Sequence, residues 1–588
     1  MILIDVDFDC DSFVCRTRTS VERRGAIDLL RTIDPGSSFR VDAGALVLSK
    51  TTALALRSRS MLDYFEWTDV AARYADTLGR NFADAPKARE RVIRLQQPGE
   101  ADRELEHYDL RETLDPHQRI AVAAMTDSVV HGICLFDEQG AGKTVMGIHA
   151  FDRLKKAKAA STLLIFAPKN MLGEWEKDFR RFTGTSYSVT VVSGSKEAKY
   201  TKLIEASDVY VTNYETAAGL EDTLTSLINR KLGRVILVVD ESFFVKNRIA
   251  KRSAAIRRLR NLCDKCWMLC GTPAPNAATD VIHQFDIADG GVTFDGVALP
   301  EDPDELRKVV KRTVENRGVY LRRLKVEILP GLPSKSFHRV QIPLGQAQSE
   351  LYRNHLKSLV ADVERTTEHE FNTGMTSFMA RRTRLLQICS CPDQVDATHI
   401  ETPSKLLAMD EMLHKLIEER QEKVVVWSFF RRSLESIFKR YAKYNPVRID
   451  GSVADPHVRA KAVTQFQTDD RTMLFVANPA AAGAGLTLTR SHVAIYESFS
   501  SQAAHYLQSL DRIHRRGQES EVDYYLLLSD GTIEEEEYRR LLHKEQQAAD
   551  LFSDLPSAPL RREVFLRELM EGLAKFSGQA LTAGVEAL

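Results

Sequence analysis

The run Ile133-Cys134-Leu135-Phe136, the octet Asp137-Glu138-Gln139-Gly140-Ala141-Gly142-Lys143-Thr144 and the residues 145–150 that follow constrain this chain more than any other segment. Four apolar residues read as a short buried strand, the glycines as a tight loop, and the residues after Thr144 as the start of a helix. A strand, a glycine-bearing loop and Lys-Thr at a helix N-terminus make a cradle for a polyphosphate. Consecutive backbone N–H groups at Gly140, Ala141 and Gly142 and the helix end present positive partial charge. Lys143 then reaches the β- and γ-phosphates, and the Thr144 hydroxyl binds Mg2+. The common spelling has glycine where Asp137 stands, so the octet alone also fits a structural turn. What decides between the two is the chemistry found downstream.

Residues 235–239 are a fully apolar strand, and Asp240-Glu241 follow at once. Asp240 is placed to hold hydrated Mg2+, and Glu241 to orient and deprotonate an attacking water. Such a pair can also merely solvate a turn, but a phosphate loop upstream favours catalysis. Gln118, in Leu114-Asp115-Pro116-His117-Gln118, offers an amide that can satisfy both edges of adenine; the alternative is a surface glutamine. Residues 163–167, 209–212 and 266–270 read as further buried strands, each ending in a polar loop. Those loops are Pro168-Lys169-Asn170, Asn213-Tyr214-Glu215 and Gly271-Thr272-Pro273. In an open parallel sheet the ligand-contacting loops lie at these carboxyl ends. Thr272 either senses γ-phosphate or nucleic-acid state or only makes a turn. Cys263, Cys266 and Cys270 are either a partial zinc site or buried thiols on one strand.

At 588 residues the chain is too long for one core. Its apolar runs are shorter than the ~20 residues of a membrane span. The N-terminus has no basic stretch of a secretory signal, and scattered cysteines suit a reducing compartment, so a cytoplasmic protein is expected. Net charge is −1, so any basic surface for nucleic acid must be local. Residues 1–105 read as a small α+β module with strands at 1–8, 12–18 and 39–48, helices at 21–33 and 51–62, and a turn at Pro35-Gly36. Residues 96–113 read as a linker. Beyond residue 336, segments 346–363 and 375–389 are helical. A second α/β pattern follows, with strands at 423–428, up to 452, and 473–477, and a small-residue loop at 480–487. Arg512 and Arg515 are predicted on one face of a basic helix. Arginine alone offers a permanent planar fork suited to charge on a transferring γ-phosphoryl group.

The segments DEQGAGKT (137–144), DESFFVKN (240–247), GTPAPN (271–276), YLRRLKVEILPGLPSK (320–335) and QSLDRIHRRGQ (508–518) resemble the Swi/Snf-type DNA-dependent ATPases of helicase superfamily two. The resemblance implies an α/β fold: two tandem RecA-like lobes, parallel sheets flanked by helices, with helical insertions. A small N-terminal α+β module and a C-terminal helical tail complete it. The boundaries expected are 1–105 for the module and 106–335 for lobe one, with a helical insertion near 277–318. A helical linker at 336–400, lobe two at 401–545 and a tail at 546–588 follow. The first module faintly resembles HepA-related modules; it is otherwise a packing domain. The tail is either a brace helix or a partner-binding helix pair.

By the same resemblance ATP and Mg2+ are the cofactors, Gln508 joins the ATP site, and Arg512 and Arg515 act on the γ-phosphate from lobe two. Double-stranded DNA is the expected partner, gripped by its phosphates without sequence preference. Its candidate contacts are Lys169, Asn170, Thr212, Asn213, Lys246, Asn247, Ser428, Gly485 and Thr487. The expected function is ATP-driven translocation on duplex DNA, in repair, phage defence or roadblock removal, with a nuclease or another such subunit as a possible protein partner. A strand-separating or annealing helicase, and an ATP-switched clamp that recruits a nuclease, are the alternatives. Two departures stand out. Ser242 and Phe243 replace the family's Ala or Gly and His. Glu497-Ser498-Phe499-Ser500-Ser501 replaces its Trp-Asn-Pro, so that either Phe499 supplies the aromatic contact or coupling to DNA is weak.

Overall fold

The computed structural model describes residues 2–7, 12–17, 19–33, 39–42, 45–58, 64–108, 114–231, 234–271, 273, 278–453, 455–482, 486–499, 503–547 and 562–576. Two units are formed, residues 1–324 and 325–588.

The first unit opens with β1 (Ile2–Asp7), β2 (Ser12–Arg16), β3 (Phe39–Asp42), β4 (Ala45–Leu48) and β5 (Phe65–Trp67), in the order β3-β4-β2-β1-β5. The single strand expected over 39–48 is a hairpin instead; its tip, like Pro35-Gly36, lies outside the described residues. Ile4, Phe13, Leu46 and Leu48 enclose this small core with Tyr74 and Leu78. The latter pair sit on helix Asp69–Leu95, whose Thr68 caps the Ala71 N–H. That helix docks the module onto the rest of the unit. Asn81 donates to the Asp289 carbonyl (2.8 Å), and Arg91 pairs with Glu104 and with Asp127 (2.6 Å).

The main sheet of this unit has seven strands: β6 (Gly132–Leu135), β7 (Thr162–Phe166), β8 (Val189–Val192), β9 (Val209–Thr212), β10 (Val235–Asp240), β11 (Lys265–Leu269) and β12 (Tyr320–Leu321). The order is β12-β6-β11-β10-β7-β9-β8, and all pairings are parallel. β6, β7, β9, β10 and β11 are buried at every position. A sheet covered on both faces requires such runs, which is why its strands read as unbroken apolar stretches rather than alternating ones. Helix Ala278–Asp289, in the stretch expected to form a charged insertion, is itself largely buried through Val281, Phe285 and Ile287.

The second unit has β13 (Lys335–Ile342), β14 (Val424–Trp427), β15 (Val447–Ile449), β16 (Leu474–Ala477), β17 (Val493–Tyr496) and β18 (Val522–Ser529). Their order is β13-β18-β17-β14-β16-β15, again all parallel. β13 is mostly exposed and lies in the stretch read as helical linker; its backbone pairs with β18 from Lys335↔Val522 to Ile342↔Ser529. Helices Gln346–Arg365 and Glu368–Ser390 pack together, and tail helix Arg562–Phe576 rests on them through tilted Phe371–Phe565 and Tyr352–Phe576 ring contacts at 5.5 and 4.9 Å. The fold is therefore α/β, with two parallel sheets flanked by helices and a small mixed sheet ahead of them. Among the described residues no helix is long and apolar enough to cross a membrane.

Candidate functional site

β6 ends at Leu135 and delivers the loop 136–142 to helix Lys143–Lys156. Gly140 and Gly142 have φ of 86° and 84°, a region that side chains with a Cβ rarely occupy. A Cβ on Gly142 would also lie 2.4 Å from Gln118 Nε2. The loop is seated by helix Pro116–Thr126: His117 Nε2 and Gln118 Nε2 donate to the Ala141 carbonyl at 2.9 and 3.3 Å. Gln118 Oε1 accepts from the Asp115 N–H (3.0 Å), closing a capping box. Both edges of the amide expected to read adenine are thus engaged by the chain.

Asp137 is fully buried and forms a two-pronged ion pair with Arg323, whose Nε lies 2.9 Å from Oδ1. Arg323 also donates to the His117 carbonyl (2.7 Å). Its neighbour Arg322 donates to the carbonyls of Phe136 (2.6 Å) and Gly271 (3.0 Å). Lys143 Nζ lies on the Asp137 and Glu138 carbonyls at 2.7 and 3.2 Å. The Arg-Arg doublet was visible in the sequence; its partner, 186 positions away, was not.

Asp240 and Glu241 stand at the end of β10, both buried. Trp175 Nε1 donates to Asp240 Oδ2 (2.8 Å), and the Tyr214 hydroxyl donates to the Asp240 carbonyl. Burial first, then the charge of Glu241, holds the Asp240 carboxyl well above the usual carboxylate range, while Trp175 and Lys143 oppose that rise. Glu241 has φ 51°, an uncommon conformation for a residue with a Cβ. Gln139 Nε2 donates to its Oε1 and Oε2 at 3.0 and 3.3 Å. Phosphate loop and strand-end carboxylates, far apart in sequence, therefore meet. Ser242 is buried and donates to Gln284 Oε1 (2.5 Å), and Phe243 stacks on Phe244 at 4.4 Å. Cys263, Cys266 and Cys270 are buried thiols, the first two with pKa pushed up by burial; among the described residues no cluster of three or more metal-ligating side chains occurs.

In the second unit the helix expected to carry both arginines ends sooner: Ala503–Leu510 is helical, and 511–517 is a run of turns. Side chains take the carbonyls a longer helix would use. Gln518 Nε2 donates to Ile513 O (3.1 Å) and Lys325 Nζ to His514 O (3.2 Å), while Lys325 also pairs with Asp511. The arginines are set by this turn rather than by helical spacing. Arg512 is buried, its carbonyl accepting from Leu488 N–H (2.9 Å), and Arg515 donates to the Leu486 carbonyl (3.1 Å). Gln508 is buried on the helix.

The candidate DNA contacts divide by exposure. Lys169 and Asn170 are exposed in the short turn Lys169–Met171 ahead of helix Leu172–Thr183; Asn247 is exposed, and Lys246 is half-buried on Asp280 (3.3 Å). Thr212, Asn213 and Ser428 are buried instead. Thr212 donates to the Val192 carbonyl (3.0 Å), Asn213 accepts from Thr216 (2.6 Å), and Ser428 lies 3.1 Å from the Ser498 hydroxyl. These three hold their loops and present no side chain outward. Thr487 is half-buried; Gly485, Thr272, Ser500 and Ser501 lie outside the described residues. Phe499 is a core residue, parallel to Tyr496 at 6.0 Å, so it is not a free aromatic contact.

A phosphate loop joined to a strand-end Asp-Glu on one parallel sheet, with a paired-arginine turn on a second, defines a phosphate-loop protein of the helicase type. The family model described as SNF2-related domain matches residues 117–394, and the helicase conserved C-terminal domain matches 405–517. The chain belongs to the SNF2-related family of helicase superfamily two. It is 26% identical over 446 residues to the ISWI chromatin-remodeling complex ATPase ISW1 of Saccharomyces cerevisiae, covering 70% of this chain and 38% of that protein. The Bacillus subtilis protein YwqA is 29% identical over 433 residues, covering 69% and 45%. The chain thus spans less than half the length of these curated relatives. Among solved structures, the Sulfolobus solfataricus SWI2/SNF2 ATPase core in complex with dsDNA matches at 21% identity and a TM-score of 0.33, covering 76% of this chain and 94% of that one.

Proposed function

We propose that this protein hydrolyses ATP in a duplex-DNA-dependent manner and uses the cycle to move along double-stranded DNA or to remodel protein bound to it. The observation that carries the reading is the Gln139–Glu241 contact, which ties the phosphate loop to the strand-end carboxylates at 3.0 Å. Lys143 and the loop N–H groups bind the phosphates, and the glycines at 140 and 142 let that backbone come close. Glu241 takes the proton of the attacking water. As the family resemblance implies, Arg512 and Arg515 stabilise charge on the γ-phosphoryl group. Nucleotide state would then alternate the grip on DNA.

The donor set suits Mg2+: the Thr144 hydroxyl and the Asp240 carboxylate are hard oxygen ligands, and a buried Asp-Glu pair gains from a nearby cation. When bound, Mg2+ neutralises charge on the phosphates. Lys169, Asn170 and Asn247, which are exposed, are the DNA-phosphate contacts retained here. Repair, phage defence and roadblock removal all suit such a motor.

ATP turnover by the purified chain, with and without duplex DNA, tests the reading. Strong stimulation is expected, with Lys143→Ala and Arg515→Ala abolishing turnover. Triplex displacement should require ATP. Unchanged turnover in either variant would sink the site assignment, stronger stimulation by RNA would move the substrate, and forked-duplex unwinding would make the chain a strand-separating helicase.

A further inference from the structure

The proton acceptor assigned above is covered by the chain's own amide. Gln139 Nε2 sits 3.0 Å from Oε1 and 3.3 Å from Oε2 of Glu241, straddling the open end of the carboxylate. Glu241 is 5% exposed, so little other approach to those oxygens remains. Gln139 is held in place from below by Gly271, the first residue after β11 and Cys270. A Cβ at position 271 would come within 2.7 Å of Gln139 Cγ and 2.9 Å of its Nε2. Pro273 connects to the residue after Glu241: Gln284 Nε2 donates to the Pro273 carbonyl (2.5 Å), and Gln284 Oε1 accepts from Ser242 (2.5 Å). Residues 271 and 273 are therefore both linked to the 241–242 segment, one through Gln139 to Glu241 and one through Gln284 to Ser242. Arg322 ties the Gly271 carbonyl to that of Phe136, at the root of the phosphate loop.

We propose that Gln139 is a latch on Glu241, seated on Gly271, and that its withdrawal when DNA binds frees the carboxylate for water. This rests on the ATPase reading. An amide donated to a carboxylate occupies lone pairs that water must use, so hydrolysis waits until the amide leaves. Gly271 follows β11 at the carboxyl edge of the sheet, so a latch seated there would couple DNA to turnover without altering nucleotide affinity.

The test uses the full chain and measures ATP turnover alone and at saturating duplex DNA. Gln139→Ala and the better-packed Gln139→Met should each raise the DNA-free rate by about tenfold, the value of one hydrogen bond to a charged group. KM for ATP and the DNA-saturated rate should stay within about twofold, so the stimulation ratio collapses. Gly271→Ala, whose methyl displaces Gln139, should act in the same direction and add nothing in the Gln139→Ala background. A DNA-free rate that is unchanged or lower in both Gln139 variants overturns the latch, and so does a Gly271→Ala effect of equal size in both backgrounds. Adding Glu241→Gln to Gln139→Ala separates the two ideas: if the raised rate survives that change, Glu241 is not the base and the underlying site reading falls. Absence of turnover in wild type and in every Gln139 variant overturns both.

Discussion

Asp137 occupies the place where the phosphate-loop spelling has glycine, and Arg323 explains why a carboxylate is tolerated there. With Asp137 fully buried and the guanidinium nearly so, removing one partner leaves the other charge uncompensated in the interior. Arg323→Met should cost the first unit about 3–5 kcal/mol, the range for a broken buried pair. Denaturant unfolding followed by Trp fluorescence would measure it, and an unchanged midpoint would show the pair to be dispensable. Combining Asp137→Leu with Arg323→Met should recover much of the loss, because no lone charge remains. At this scale the sequence was informative about residue types and poor about partners. Lys143, Asp240 and Glu241 stand out because their chemistry is local to a strand end. Gln139 and Trp175 did not, because only packing brings their donors to Glu241 and Asp240. Phe499 misled, since an aromatic beside a motif looks the same whether it packs inward or faces a ligand.

Among the elements, helix Pro116–Thr126 is the support of the phosphate loop, and it carries a titratable contact. His117 donates to the Ala141 carbonyl, and burial, followed by nearby Arg323, pulls its pKa below the ordinary 6.5. His131, beside Asp84, is lowered as well, again mainly by burial. A histidine harder to protonate when folded leaves the unfolded chain binding more protons just below pH 6.5. The stability due to these two residues is therefore complete above that pH and is lost as pH falls through the lowered values. Melting of the full chain should begin to drop below pH 6.5, ahead of the carboxylate range. The double substitution His117→Gln, His131→Gln should reduce that slope, the rest coming from His355, His505 and His514, which burial also lowers, and an unaltered slope would refute the assignment. Central strands were legible for the same reason that they are central: β10 and β11 are covered on both faces and, apart from Asp240 and Lys265 at their ends, are apolar. β13 escaped notice because an edge strand with an exposed face keeps its polar residues, and its identity lies in backbone pairing to a distant segment. The arginine turn was read as helix because its spacing permits one; the side-chain capture of the Ile513 and His514 carbonyls by Gln518 and Lys325 is invisible to spacing.

For the whole molecule, 81 basic and 82 acidic residues leave a net charge of −1, so no global field draws DNA in. Affinity must come from a limited set of cations on exposed loops, and each phosphate they neutralise releases counterions. The DNA concentration that half-stimulates turnover should therefore rise steeply with salt, with a log–log slope of roughly 0.9 per phosphate contacted. Lys169 is the exposed lysine among the candidates, in the short turn Lys169–Met171 ahead of helix Leu172–Thr183. Lys169→Ala should weaken stimulation on every duplex sequence alike and reduce the salt slope by about one. Thr212→Val should leave the slope unchanged, because that hydroxyl is spent on the Val192 carbonyl inside the fold. The two variants make a matched pair: one removes an outward charge, the other an inward hydrogen bond, and both lie at carboxyl ends of neighbouring strands of one sheet. A salt slope near zero in the parent chain would mean that the stimulating polymer is not held by its phosphates. A slope lowered equally by both variants would mean that the loops act by shape rather than by charge.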